Sequence, residues 1–381
     1  MASLRRMMKL RAALTGVLTI TLLGAAPVQA DGVPTLTGFA SLPAATFVPG
    51  SEPSGSLLGT APINGVSVPF ADQPVQGFSG IARNRDGSFD VLSDNGYGNI
   101  ANSSDFLLRI QRIIPDFDSK TVDVLGGVTL SDPSGHVPFP LTRPDRVLTG
   151  ADFDIESIVK TADGGYWIGD EFGPYLLHFD RAGRLLAPPI PLPGVFAPES
   201  AARAGVTPNL ASSKGFEGMA ASGHFLYPLL EGTVTGDEAG TLRINEFDLR
   251  SGSYTSRRWL YRMESPANAI GDFIAIDRGR FLVIERDGLQ GDAALFKRIY
   301  TIDLSGRKSP LVDLLNIADP QHLGGPSDVF RFPFTTIEDV IVLDDRTIGV
   351  LNDNNFPFSS GRTPGAPDNN EFITVRLPRK L

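Results

Sequence analysis

Between Asp152 and Asp180, apolar and polar residues alternate in three short runs: Phe153, Ile155 and Val159, then Tyr166-Trp167-Ile168, then residues 175–179. Ala162-Asp163-Gly164-Gly165, Gly173-Pro174 and Arg181-Ala182-Gly183 punctuate them, which predicts three antiparallel strands joined by tight turns. A two-residue turn at Asp163-Gly164 sets Glu156 opposite Glu171. An antiparallel pair begins its first strand where its second ends, so Glu156, Asp170 and Glu171 are expected on one rim. Three carboxylates so placed repel one another unless a cation or a shared proton neutralises them.

The hairpin recurs along the chain. Gly77-Phe78-Ser79-Gly80 leads through Asp86-Gly87 to Ser93-Asp94-Asn95, and Gly215-Phe216-Glu217-Gly218 leads to Leu230-Glu231. Residues 270–276 turn at Arg278-Gly279 and return to Glu285; residues 336–342 turn at Asp345-Arg346 and return to Asp353. Tight turns set Ser79 opposite Asp94, Asp272 opposite Glu285 and Glu338 opposite Asp353. In the third unit a turn at Ser222-Gly223 sets Glu217 opposite Pro228 instead of Glu231, so that hairpin must be longer, bulged or shifted. Anchors at Ser79, Glu156, Glu217, Asp272 and Glu338 recur at roughly 65-residue intervals, the mark of an internal repeat. Repeated antiparallel units of this size predict an all-β fold, a β-propeller with blades around a central channel. Residues 31–76, with strands expected at 36–39 and 66–70, and residues 370–377 would together build one more blade. That makes six, with five or seven as alternatives. Residues 197–204 predict the one clear helix, with Pro198 in its first turn. Phe78, Trp167, Phe216 and Phe273 are expected in the core between blades.

Composition narrows the function. A net charge of −9 argues against nucleic acid, whose phosphates need a basic patch, and favours cations. With no cysteine, stability must come from core packing, with metal as an optional addition, instead of from disulfides. Arg5, Arg6, Lys9 and Arg11, the apolar run 12–26 and Val28-Gln29-Ala30 read as an export signal over residues 1–30. The run is too short for a membrane span of roughly 20 residues. The expectation is one propeller domain over 31–381, exported to the periplasm or outside the cell, with no membrane span once the signal is cleaved.

The acidic rim gathers Asp94, Glu156, Asp170, Glu171, Glu217, Glu231, Asp272, Glu285, Glu338 and Asp353, with Asn95, Asn352, Asn354 and Asn355 as neutral oxygen donors. Calcium takes six to eight such oxygens, which converging blades could supply; acids at strand ends are also ordinary turn chemistry. Lys214, Arg286 and Arg362 lie beside the rim and could hold the oxygens of an anionic substrate or pair with the acids. A nucleophile elbow, a phosphate-cradling loop and a zinc helix are all absent from the sequence. Of the scattered histidines, His178 sits on a strand as a structural residue, while His136 and His322 in Gly/Pro loops are weak acid–base candidates.

Asp94 in Leu92-Ser93-Asp94-Asn95, Asp154-Ile155-Glu156-Ser157, Gly169-Asp170-Glu171-Phe172-Gly173, Gly215-Phe216-Glu217-Gly218 and Leu351-Asn352-Asp353-Asn354-Asn355-Phe356 together resemble the exported family described as esterase-like activity of phytase, over roughly residues 75–378. The resemblance implies phosphoesterase or phosphodiesterase-like activity and, by analogy with β-propeller phytases, dependence on calcium. The fourth unit departs from the pattern at Gly271-Asp272-Phe273, and no dense cationic cluster suited to phytate is present. The expectation is hydrolysis of a small anionic phosphate ester. Asp94, Glu156, Asp170, Glu171, Asp272, Glu285, Glu338 and Asp353 would be calcium ligands. Glu217, Glu156 and Asp170 would be catalytic, and Lys214, Arg286 and Arg362 would bind substrate. A propeller lactonase or carboxylic esterase, or a non-catalytic calcium-stabilised binding propeller, are the alternatives.

Overall fold

The computed structural model describes residues 32–381; the expected signal and its cleavage site fall outside them. Residues 33–381 pack as one unit whose regular secondary structure is almost wholly strand. A first strand, β1 (Thr35–Leu42), precedes a four-stranded antiparallel blade of β2 (Phe78–Arg83), β3 (Phe89–Ser93), β4 (Arg109–Asp116) and β5 (Thr121–Thr129). The second blade is β6 (Ile155–Lys160), β7 (Tyr166–Asp170), β8 (Tyr175–Phe179) and β9 (Ile190–Pro191), followed by the helix α1 (Pro198–Ala204). The third is β10 (Phe216–Ser222), β11 (Phe225–Leu230), β12 (Thr241–Asp248) and β13 (Ser253–Arg262); the fourth is β14 (Ala269–Ala275), β15 (Arg280–Arg286), β16 (Lys297–Asp303) and β17 (Lys308–Asp313). Two short strands, β18 (Ile317–Ala318) and β19 (Val329–Phe330), lead into the fifth blade, β20 (Thr336–Asp344), β21 (Thr347–Asp353) and β22 (Asn370–Arg376).

The fifth blade takes its fourth strand from the other end of the chain. β1 pairs antiparallel with β22, from Thr35 opposite Arg376 to Leu42 opposite Asn370. The propeller therefore has five blades, not six: the two terminal segments complete one blade instead of building another. Between β1 and β2, residues 43–77 cross the surface with isolated bridges such as Phe47–Pro74 and Ser54–Phe70, and the strand expected at 66–70 does not form. Five buried apolar clusters fill the five seams between neighbouring blades. Phe78, Trp167, Phe216 and Phe273 all sit in these seams. α1 forms where expected, with Pro198 in its first turn and Gly205 at φ 66° closing it, a left-handed conformation that suits glycine.

The innermost strands β2, β6, β10, β14 and β20 surround the channel, and each carries an irregularity near its start. Ile155 pairs with Asp170 and Ser157 with Gly169, so Glu156 is an extra residue bulged out of the ladder. The same break falls at Glu217, Gly271 and Glu338, and across Ser79-Gly80 in the first blade. A bulge inserts one residue and re-aims its side chain. It shifts the register, so Glu156 does not face Glu171, nor Asp272 Glu285, nor Glu338 Asp353. The third hairpin resolves in the same way: a turn at Gly223-His224 and the bulge at Glu217 bring Phe216 opposite Leu230, one residue before Glu231.

The inner strands approach so closely that side chains are excluded at some points. A Cβ on Gly271 would stand 1.9 Å from the carbonyl oxygen of Ile337 in the next blade. Gly271→Ala is therefore expected to destabilise the fold by at least the ~1–3 kcal/mol typical of overpacking, because the obstacle is backbone. Urea unfolding with an unchanged slope and a lower midpoint would show it.

Candidate functional site

The bulges and strand ends put two five-membered sets of positions at one mouth of the channel. The bulge set is Ser79, Glu156, Glu217, Gly271 and Glu338. The second set follows the residue paired across from the bulge: Asp94, Glu171, Glu231, Arg286 and Asp353. All five of the second set, together with Glu156, Glu217 and Glu338, line a cavity of about 440 Å³. Asp154, Asn95, Ser213, Lys214, Asn268, Thr336 and Asn355 complete its polar wall. Among the described residues, eight carboxylates thus face two cations, Lys214 and Arg286, and no histidine lines the wall.

Contacts within the cavity are uneven. Arg286 Nη2 donates to Glu338 Oε1 at 2.9 Å and lies 3.8 Å from Glu217 Oε1 and 3.9 Å from Glu231 Oε1. Ser79 Oγ donates to Glu338 Oε2 at 2.9 Å, and Lys214 pairs with Glu231. Asp94 accepts the backbone N–H of Gly96, and Asp353 that of Asn355. Glu171 Oε1, Glu217 Oε1 and Asp154 Oδ1 are buried without a hydrogen-bond partner. Oxygen atoms of Asp154, Glu156 and Glu171 lie within 4.8 Å of one another, as do those of Glu171, Glu217 and Glu231. Glu171 belongs to both groups.

Burial and crowding push most of these carboxyls toward their neutral forms. Burial raises Asp94, Glu156, Glu171 and Glu217 well above the ordinary carboxylate range, and the neighbouring negative charges add to it. Burial and the Asp353 charge bring Glu338 to about 8 even though Arg286 opposes the shift; burial brings Asp353 to about 6. Lys214 and Arg286 move the other way: burial disfavours their charge, yet the surrounding carboxylates hold both above their usual values.

Four expected site residues lie outside this wall. Asp170 accepts the backbone N–H of Asp154 at 2.9 Å and of Gly173 at 2.7 Å, which fixes the loop that presents Asp154. Asp272 accepts those of Phe273 and Val340, stitching the fourth blade to the fifth. Glu285 is saturated by Glu264 N, Asn268 Nδ2, Tyr261 OH and Lys308 Nζ. Burial still raises Asp170 to about 8 and Asp272 to about 7. Arg362 is forked onto Glu371, donates to the Arg331 carbonyl and lies against Phe330 and Phe334. His178 stacks on Trp167 at 4.2 Å, the structural role expected of it. His136 and His322 do not line the cavity. Asp154 was not among the expected ligands, and Glu231 was placed on the rim without a role. Aligning the repeats on the apolar residue before each bulge, instead of on the acid, would have placed Glu231 in register and set Gly271, not Asp272, with the bulge acids.

The donor set suits a hard cation: carboxylate oxygens only, several of them unpartnered, with amide and hydroxyl oxygens nearby. No helix among the described residues is long and apolar enough to cross a membrane.

Among solved structures the chain is similar to a GH43 β-1,3-galactosidase, at 8% identity and a TM-score of 0.45, covering 84% of this chain and 58% of that one. It is similar also to a GH43 endo-arabinanase from Bacillus licheniformis (11%, 0.39, 78% and 93%) and to a luciferin-regenerating enzyme (11%, 0.39, 90% and 97%). The chain thus spans little more than half the length of the first of these. Among curated proteins, none matches. The phytase-like family model, described as esterase-like activity of phytase, matches residues 73–356, a span that holds all five bulges and every charged residue of the cavity; the chain belongs to that family.

Proposed function

We propose that the protein is an exported, calcium-dependent phosphoric ester hydrolase working at the acidic channel mouth. The observation that carries the reading is the pair of carboxylate groups sharing Glu171, in which Asp154 Oδ1, Glu171 Oε1 and Glu217 Oε1 are buried without a hydrogen-bond partner. Asp154, Glu156 and Glu171 would hold one cation, and Glu171, Glu217 and Glu231 a second. A bound calcium would neutralise phosphate oxygens and acidify a water molecule.

The chain's own groups divide the remaining work. Glu217 Oε1, buried without a hydrogen bond and 3.8 Å from Arg286 Nη2, would take a proton from the attacking water, with Glu156 flanking the shared Glu171 on the other side. Lys214, with a side chain 41% exposed, can turn from Glu231 toward an incoming anion. Asp170 acts at one remove, by holding Asp154 in place. Two cations on the cavity wall are few for a highly phosphorylated substrate, which favours an ester bearing one phosphate.

Release of nitrophenol from p-nitrophenyl phosphate and from its bis-ester, with calcium and again with chelator, tests this directly. Calcium-dependent release is expected, and the preferred ester separates monoesterase from diesterase. Folded protein that leaves both intact but opens lactones would be a lactonase. Folded protein that melts higher with calcium and turns over none of these substrates would be a binding module.

A further inference from the structure

Across the ten repeated positions at the channel mouth, the fourth blade is the exception. The bulge position is a glutamate in three blades and a serine in the first; the following position is an aspartate or glutamate in blades one, two, three and five. In blade four these are Gly271 and Arg286. The glycine is enforced, since a Cβ there meets the Ile337 carbonyl at 1.9 Å, so no carboxylate can stand at the bulge position of that sector. Arg286 fills the sector with the opposite charge. It is 7% exposed, and one terminal nitrogen faces Glu338, Glu217 and Glu231, carboxylates from two other blades.

A guanidinium stays protonated under all ordinary conditions and, unlike a metal ion, cannot be removed by a chelator. Two of its three acidic neighbours, Glu217 and Glu231, already belong to the second group that shares Glu171, and without the guanidinium Glu338 would face the same space as a further carboxylate. Lys214 does not play the same part, because it is anchored to one acid and reaches solvent.

We infer that Arg286 is a built-in cation, a positioning residue that fixes how many metal ions the cavity accepts by occupying the place of one more. This rests on the reading of the cavity as a cation site. Without the guanidinium, Glu338, Glu217 and Glu231 are left facing one another and can take up a further hard cation.

The test counts bound calcium per chain by equilibrium dialysis of the whole protein, in the wild type, Arg286→Met and Arg286→Lys. The expected result is one additional ion in R286M and the wild-type number in R286K. R286M should also melt lower than wild type in chelator and regain most of the difference in saturating calcium. If R286M binds the wild-type number, the inference is overturned. If the wild type itself binds no calcium, the cation reading fails and the inference falls with it, a result distinct from the previous one. Should R286M fail to fold in any buffer, the charge-balanced R286M/E338Q protein decides. Recovery of folding with the wild-type ion count supports charge compensation, and continued failure shows that the guanidinium is needed for packing alone.

Discussion

Replacing Glu171 by glutamine should cost the protein both of the proposed cation positions at once and with them the proposed phosphate-ester hydrolysis. Glu171 is the one side chain common to the two carboxylate groups, and its Oε1 has no partner within the chain. Losing a residue that merely orients a metal ligand typically lowers affinity by roughly 10–100-fold; losing a shared ligand should exceed that at each position. The substitution also removes one negative charge from a cavity where burial first, and then the proximity of Glu231 and Asp154, raises Glu171. E171Q should therefore melt higher than wild type in chelator while gaining almost nothing from added calcium. Calorimetric titration and thermal melts, each with and without calcium, read the two opposite effects. A merely structural glutamate would shift stability in the same direction in both buffers.

The second large effect is a stability that falls as pH rises. Burial and mutual repulsion raise Asp94, Glu156, Glu171 and Glu217, and bring Asp353 to about 6 and Glu338 to about 8. In the unfolded chain the same groups titrate near 4. The folded protein therefore binds these protons more tightly than the unfolded one. Their stabilisation is fully present below pH 4 and is lost progressively as pH climbs from there through the folded values, about 6 for Asp353 and about 8 for Glu338. Without divalent cations the loss should amount to several kcal/mol, since each tenfold difference in proton affinity between the folded and unfolded chain corresponds to about 1.4 kcal/mol. Calcium should abolish the slope, because the ion replaces the proton as the neutralising partner and binds better once the carboxylates are ionised. Melting temperatures at pH 5.5, 7 and 8.5, in chelator and in calcium, should diverge progressively. Parallel curves would mean that the cavity acids do not control the transition.

Much of the fold was legible because it is local. Period-two alternation and Gly- or Asp-centred turns identify each hairpin, and the recurrence of Gly-Phe-Ser-Gly, Asp-Ile-Glu-Ser and Gly-Phe-Glu-Gly identifies the repeat. The blade count was not, because β1 and β22 are adjacent only in space, and a strand completing a distant blade looks the same as one starting a new blade.

The site was legible to within one residue. A bulge adds a residue without leaving a mark on the alternation, so every register counted from a tight turn was off where it mattered. That slip separates Asp170, which braces a loop, from Glu171, which reaches the cavity. It also moved attention to Asp272 and Glu285, hiding Gly271 and Arg286 as the true counterparts of the other blades' acids. Arg362 looked like a rim cation because nothing local reveals Glu371 and the two phenylalanines that hold it.

The pairing of Leu42 with Asn370 places one of the longest loop closures in the chain at the fifth blade. Joining ends so far apart is entropically costly and gives slow, non-local folding. Glu338 and Asp353 belong to that blade, so the wall of the cavity is complete only when its sheet has been zipped by the opening strand. A chain still being synthesised, or one lacking β22, would carry the other carboxylates without their full enclosure. Firm capture of a metal ion would then be a property of the finished ring alone, and would act as a latch that closes after the last strand is in.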